Sequence, residues 1–146
     1  MSVRVGLPAR LAEIVDDFAL AEGREKLELL LDYALSFPPL PDFLKEGELE
    51  MEAVPECMTP VSVASEMKDG GMVFHFDVPQ EAPTVRGFAT IVAQGLQGAT
   101  PQQILEMPAD FYTIMGLDGV LTPQRMNGMA AIVAHVRRLA FEKINK

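Results

Sequence analysis

What most narrows the fold of this chain is one alternating run set between two helical stretches. Val61 and Val63 alternate with smaller residues, Asp69-Gly70-Gly71 follows, and Met72, Phe74 and Phe76 then alternate with Val73, His75 and Asp77. Period-two alternation around a glycine turn predicts a β-hairpin with one apolar face. Two strands alone make a marginal sheet in water, so a third strand is expected from Leu49–Val54. His75 falls on the face opposite the phenylalanines and reads as a surface histidine rather than a ligand.

The flanking stretches repeat at helical spacing instead. Pro8 suits a helix's first turn, with Leu11, Ile14, Val15 and Phe18 on one stripe. Gly23 interrupts it, and Leu27, Leu30, Leu31 and Ala34 continue on a second helix that must stop before Pro38-Pro39. After the hairpin, Val85, Phe88, Ile91, Val92 and Leu96 mark a third helix. Thr100-Pro101-Gln102-Gln103 has the form of a capping box. Phe111, Ile114, Met115 and Leu117 mark a short helix, and Thr122-Pro123 opens a long last one with Met129, Ile132, Val133, Val136 and Leu139 inward. His135 lies near the edge of that stripe and reads as structural, packed or exposed. Methionines at helical spacing read as core filling rather than a cofactor box. Helices, strands and helices again predict an α+β fold in which an antiparallel sheet of about three strands packs on helices.

The length, 146 residues, suits one domain over 1–146. No apolar run is long enough to span a bilayer. The start has no basic-then-apolar order, so a cytoplasmic protein is expected. With 21 acidic against 12 basic residues the net charge is −9, which argues against a nucleic-acid backbone as partner. The acidic run Glu46, Glu48, Glu50, Glu52 and Glu56 reads as a solvated rim, with a docking surface for a basic partner as the other reading. Its long, irregular setting, from Pro38 to Glu56, is of the kind that often serves function.

The chain has no Gly-rich nucleotide loop, no nucleophile elbow and no zinc-protease helix. One cysteine, Cys57, excludes an internal disulfide and any cluster site needing several thiolates from one chain. No bound metal or organic cofactor is therefore expected. Cys57 stands in Val54-Pro55-Glu56-Cys57-Met58-Thr59-Pro60, where prolines on both sides stiffen the backbone. That suits a displayed, reactive thiol, although a buried inert cysteine is equally common.

Four segments together resemble the SufE family. Glu56-Cys57-Met58-Thr59-Pro60-Val61-Ser62 stands where the family has Gly-Cys-x-Ser-x-Val-Trp before a hairpin. Gln80-Glu81-Ala82-Pro83-Thr84-Val85-Arg86-Gly87 matches its Ser-Asp-Ala-x-Ile-Val-Lys-Gly helix start. Leu121-Thr122-Pro123-Gln124-Arg125-Met126-Asn127-Gly128-Met129 matches Leu-x-x-x-Arg-x-x-Gly-Leu. Tyr33-Ala34-Leu35 before Pro38-Pro39-Leu40 is similar to the leading helix and loop. The resemblance implies the fold shared by SufE and the iron–sulfur scaffold IscU. It implies that Cys57 accepts persulfide sulfur from a pyridoxal-phosphate cysteine desulfurase (SufS-like) and passes it to an iron–sulfur scaffold (SufB-like). Glu81, Arg86 and Arg125 are the implied partner-binding residues, Arg125 near the cysteine loop or on the same docking face. Glu56 in place of glycine sets a negative charge beside a thiol that must ionise, and Ser62 replaces the tryptophan. A binding module that regulates a desulfurase without carrying sulfur is the alternative.

Overall fold

The computed structural model describes residues 6–45, 51–54 and 60–144. Two helices come first, α1 (Ala9–Leu20) and α2 (Arg24–Leu35), then a single turn, α3 (Asp42–Lys45). Three strands follow, β1 (Glu52–Ala53), β2 (Ser62–Lys68) and β3 (Gly71–Asp77). The last part is helical: α4 (Pro83–Leu96), α5 (Pro101–Glu106), α6 (Phe111–Ile114) and α7 (Pro123–Ile144). The strands make one antiparallel sheet in the order β1-β2-β3, so the α+β layout expected from the sequence is the one observed.

The turn between β2 and β3 forms because Asp69 (φ 54°) and Gly70 (φ 84°) both take the left-handed conformation that a tight two-residue hairpin needs. That register sets Val63 opposite Phe76 and Met67 opposite Met72. Val63, Met72, Phe74 and Phe76 are all in the core, as their alternation predicts. β1 pairs with β2 through Glu52 opposite Val63 and Ala53 opposite Ser62. The third strand thus falls inside the expected stretch, whose first residues, 49 and 50, lie outside the described residues.

The centre of the molecule is α4, with ten of its fourteen residues buried. It crosses back over the sheet from the end of β3, and its C-terminal connection meets the other end of that strand. There the Gly98 N–H donates to the Met72 carbonyl (2.9 Å) and the Met72 N–H to the Ala99 carbonyl (2.8 Å). This connection covers part of a strand edge that would otherwise offer unpaired backbone groups. On its opposite side α4 meets α2 closely, because Gly87 has no side chain: a Cβ there would stand 2.3 Å from the Leu30 carbonyl oxygen. Phe88 stacks on Phe111 at 6.0 Å between ring centroids, joining α4 to α6.

Some local expectations shift. Pro8 precedes α1 as its cap residue instead of lying in its first turn. Of the α2 stripe only Leu30 is fully buried; Leu27, Leu31 and Ala34 are half-buried. Leu117 sits in a separate short turn after Gly116, which takes a left-handed φ of 79°. The capping box forms as read: the Gln103 N–H donates to Thr100 Oγ1 (3.1 Å), and the Thr100 N–H donates to Gln103 Oε1 (2.9 Å).

Candidate functional site

Cys57, with Glu56, lies outside the described residues, but both arms leading to it are described. The Val54 N–H donates to the Val61 carbonyl at 2.8 Å, closing the stem from which the segment 55–59 departs. Both valines are buried. The register fixes which end of the sheet this is. Ser62 pairs with Ala53 on one side and Asp77 on the other. The stem therefore stands where β3 ends, and α4 begins six residues after Asp77.

Glu81 and Arg86 belong to this same end. Glu81 is exposed in the turn before α4, where the Ala82 N–H donates to the Pro79 carbonyl (3.1 Å). Arg86 Nη1 donates to the Val78 carbonyl at 2.6 Å, and its guanidinium lies over the Phe37 ring, 4.0 Å from the centroid. A planar cation held by a carbonyl on one side and an aromatic face on the other is fixed in direction. Beside it Leu31, Asp32, Leu35, Gln80 and Pro83 line an open groove of ≈ 580 Å³.

Arg125 reaches α4 from the start of α7. Its backbone N–H donates to Thr122 Oγ1 (3.3 Å), capping α7, and its Nη1 donates to Thr84 Oγ1 at 2.6 Å. Thr84 and Arg86 are two residues apart on α4 and so point to different sides of the helix. The fold therefore brings Glu81, Arg86 and Arg125 to one end of the sheet and of α4, but it splits the two arginines between two sides of that helix.

His75 departs from its expected setting, and His135 takes the packed one of its two. His75 is half-covered rather than a free surface group. Its Nε2 lies 2.7 Å from Glu66 Oε2, and its ring meets Phe43 edge-on. His135 is 4% exposed, three residues after Ile132 and four before Leu139, squarely on the inward stripe. Burial, then the neighbouring Arg138 cation, holds its pKa below the ordinary histidine value, with Glu52 opposing. Its Nε2 lies 3.2 Å from Glu52 Oε1.

Glu52 is the residue that sequence reasoning missed, because it was read within a solvated acidic rim. Its strand parity with buried Val54 was the available signal. Although half-exposed, its carboxylate meets α7 and accepts from Arg138 Nη2 at 2.7 Å. Among the described residues no three His, Asp or Glu side chains converge as metal ligands, and no helix is long and apolar enough to cross a membrane.

Set beside known proteins, the chain matches the family model described as SufE, Fe-S metabolism associated domain, over residues 12–140. It is 45% identical over 139 residues to a SufE-like protein of Mycobacterium tuberculosis, covering 94% of this chain and 96% of that one. To the cysteine desulfuration protein SufE of Plasmodium vivax it is 29% identical over 98 residues, covering 66% of this chain and 37% of that protein. The solution structure of a hypothetical protein from Thermus thermophilus superposes with a TM-score of 0.83 at 32% identity, covering 96% of this chain and 99% of that one. A stem that closes just before the only cysteine, a three-stranded antiparallel sheet under α4 and these similarities agree: the chain belongs to the SufE family, whose domain is associated with Fe–S metabolism.

Proposed function

We propose that this chain is a sulfur carrier, with Cys57 as its acceptor and residues 1–146 working as one SufE-like domain. The observation that carries the reading is the position of the one thiol in the sequence: it lies three residues beyond the Val54–Val61 stem, in a chain of this family. The Plasmodium vivax relative is named for cysteine desulfuration, and that chemistry fits a single thiol.

In the proposed step the Cys57 thiolate attacks the outer sulfur of a persulfide held on the cysteine of a pyridoxal-phosphate desulfurase. The bond from that sulfur to the desulfurase cysteine breaks. The new S–S bond forms on Cys57, and the desulfurase thiolate leaves with the electron pair and takes up a proton. No external oxidant or reductant is needed, because one persulfide is exchanged for another. A second cysteine in the chain would resolve the product into a disulfide, and there is none. An iron–sulfur scaffold of the SufB-like kind is the proposed recipient.

Arg86 and Arg125 are the proposed docking cations, with Glu81 completing the set at the start of α4. Both guanidiniums are held by hydrogen bonds within the chain, so less ordering is left for the encounter. The alternative, a module that regulates a desulfurase without carrying sulfur, is favoured by one feature: Glu56 beside the thiol, where a negative charge opposes ionisation.

The test is incubation with a cysteine desulfurase and cysteine, followed by intact-mass measurement. The carrier gains one sulfur atom, and Cys57→Ser, with unchanged circular dichroism, gains none. Sulfur retained by the serine variant refutes the assignment. Stimulation of the desulfurase without any mass gain on the wild type establishes the regulatory alternative instead.

A further inference from the structure

β1 is too short to hold itself in place. It has two residues and one strand neighbour, β2, and a pairing of that length contributes little in water. Yet the last backbone bond before the segment carrying Cys57, from Val54 N–H to the Val61 carbonyl, is the continuation of this strand.

Side chains supply the missing anchor. Glu52 pairs with Val63, whose side chain is in the core, so its carboxylate leaves the sheet on the side covered by helices. Glu52 Oε1 accepts from Arg138 Nη2 (2.7 Å) and lies 3.2 Å from His135 Nε2. Arg138 Nη2 also lies within 3.2 and 3.4 Å of the two ring nitrogens of His135, so the guanidinium lies against the imidazole. Arg138 Nη1 donates to Glu142 Oε2 at 2.8 Å, which holds the guanidinium from its far side. A half-exposed glutamate at an outer strand, turned toward a buried histidine and an arginine of another element, connects the two elements.

We propose that Glu52, His135 and Arg138 form a positioning clasp that fixes β1 to α7 and thereby holds the upstream arm of the segment bearing Cys57. Its consequence for sulfur transfer rests on the reading of Cys57 as the carrier; the anchoring of β1 stands independently. The three residues act through Val54, and the charge of Glu52 is the part of the clasp a substitution removes most cleanly.

The experiment compares amide hydrogen exchange in the full-length protein, its Glu52→Gln variant and its Arg138→Gln variant. The same samples are assayed for the alkylation rate of Cys57 by iodoacetamide and for sulfur gained from a desulfurase. Exchange at the Val54 amide should speed up by about fivefold in both variants, the factor matching loss of a modest ion pair, while the Ile91 and Ile132 amides stay protected. Cys57 alkylation should change in the same two variants. A Val54 amide that exchanges at the wild-type rate overturns the clasp, and so does equal acceleration of all three amides, which marks general destabilisation. A wild type that gains no sulfur while Val54 responds leaves the clasp standing and refutes the carrier reading alone.

Discussion

Adding a single methyl group at Gly87 should be among the most damaging small changes to this fold. The Cβ of Gly87→Ala would lie 2.3 Å from the Leu30 carbonyl oxygen, 3.2 Å from its carbonyl carbon and 3.1 Å from Leu30 Cδ1. The side-chain atom could swing aside. The carbonyl cannot, because it belongs to the backbone of α2. Ordinary non-bonded contacts sit at about 3.5 Å, so the two helices must part by about 1 Å. Overpacking of this kind costs about 1–3 kcal/mol, and a backbone obstacle belongs at the upper end. Alanine returns about 1 kcal/mol through its better helix propensity. The net loss should be about 2 kcal/mol, a fall in Tm of about 4–8 °C for a chain of this size. Gly119→Ala is the matched control, since no atom lies within 4 Å of its Cβ position, and it should change stability by under about 0.5 kcal/mol. Urea unfolding followed by circular dichroism measures both, with the slope expected to stay constant. A Gly87→Ala protein as stable as wild type would mean that α2 is not held against α4 where the structure sets it.

Three other outcomes are expected. His135 has a lowered pKa, so the neutral ring is the form favoured by folding; stability should be full above about pH 6.5 and fall as the pH drops through that ordinary value toward the lower folded one. His135→Gln should flatten this part of a urea-midpoint profile, and an unchanged profile would refute the linkage. Lys26 Nζ donates to the Phe18 carbonyl (2.5 Å) and the Met115 carbonyl (3.1 Å), so Lys26→Met keeps the stem but loses two charge-assisted bonds and should cost about 1–3 kcal/mol by urea unfolding. Arg125→Ala should weaken desulfurase binding in calorimetry several-fold, by about 1 kcal/mol, with Thr84→Val weakening it less because the charge remains; wild-type affinity in both variants would end the docking role for Arg125.

The parts of the fold that could be read from sequence are those in which local chemistry decides the conformation. Asp69-Gly70 must turn because few residues tolerate two successive left-handed positions, and the observed φ values are those. Thr100 and Gln103 satisfy each other's backbone groups whatever surrounds them. Glu52 escaped for the opposite reason. A glutamate among glutamates has the composition of a rim, and only its partner on α7, 83 positions later, gives it an inward direction. The pairing of Met72 with Gly98 and Ala99 is equally invisible, since it depends on where α4 delivers its C-terminal end.

The candidate site divides along the same line, and this bears on how its motifs should be read. In Arg86-Gly87 the two residues have different work. Gly87 meets the Leu30 backbone and sets how close α2 can come. Arg86 bonds the Val78 carbonyl and lies over Phe37, two residues past the end of α2. A change at Gly87 therefore displaces the aromatic platform of Arg86 without touching its charge. Arg125 behaves likewise, since its guanidinium is aimed by the Thr84 hydroxyl, and Thr84 lies in the first turn of the same helix. Both arginines thus take their direction from the seating of α4, and α4 is seated by core contacts that carry no charge. Substitutions that leave both cations in place but move α4 should weaken the proposed docking as removal of a cation does, since the directions of the arginines come from this seating and not from their own positions in the sequence.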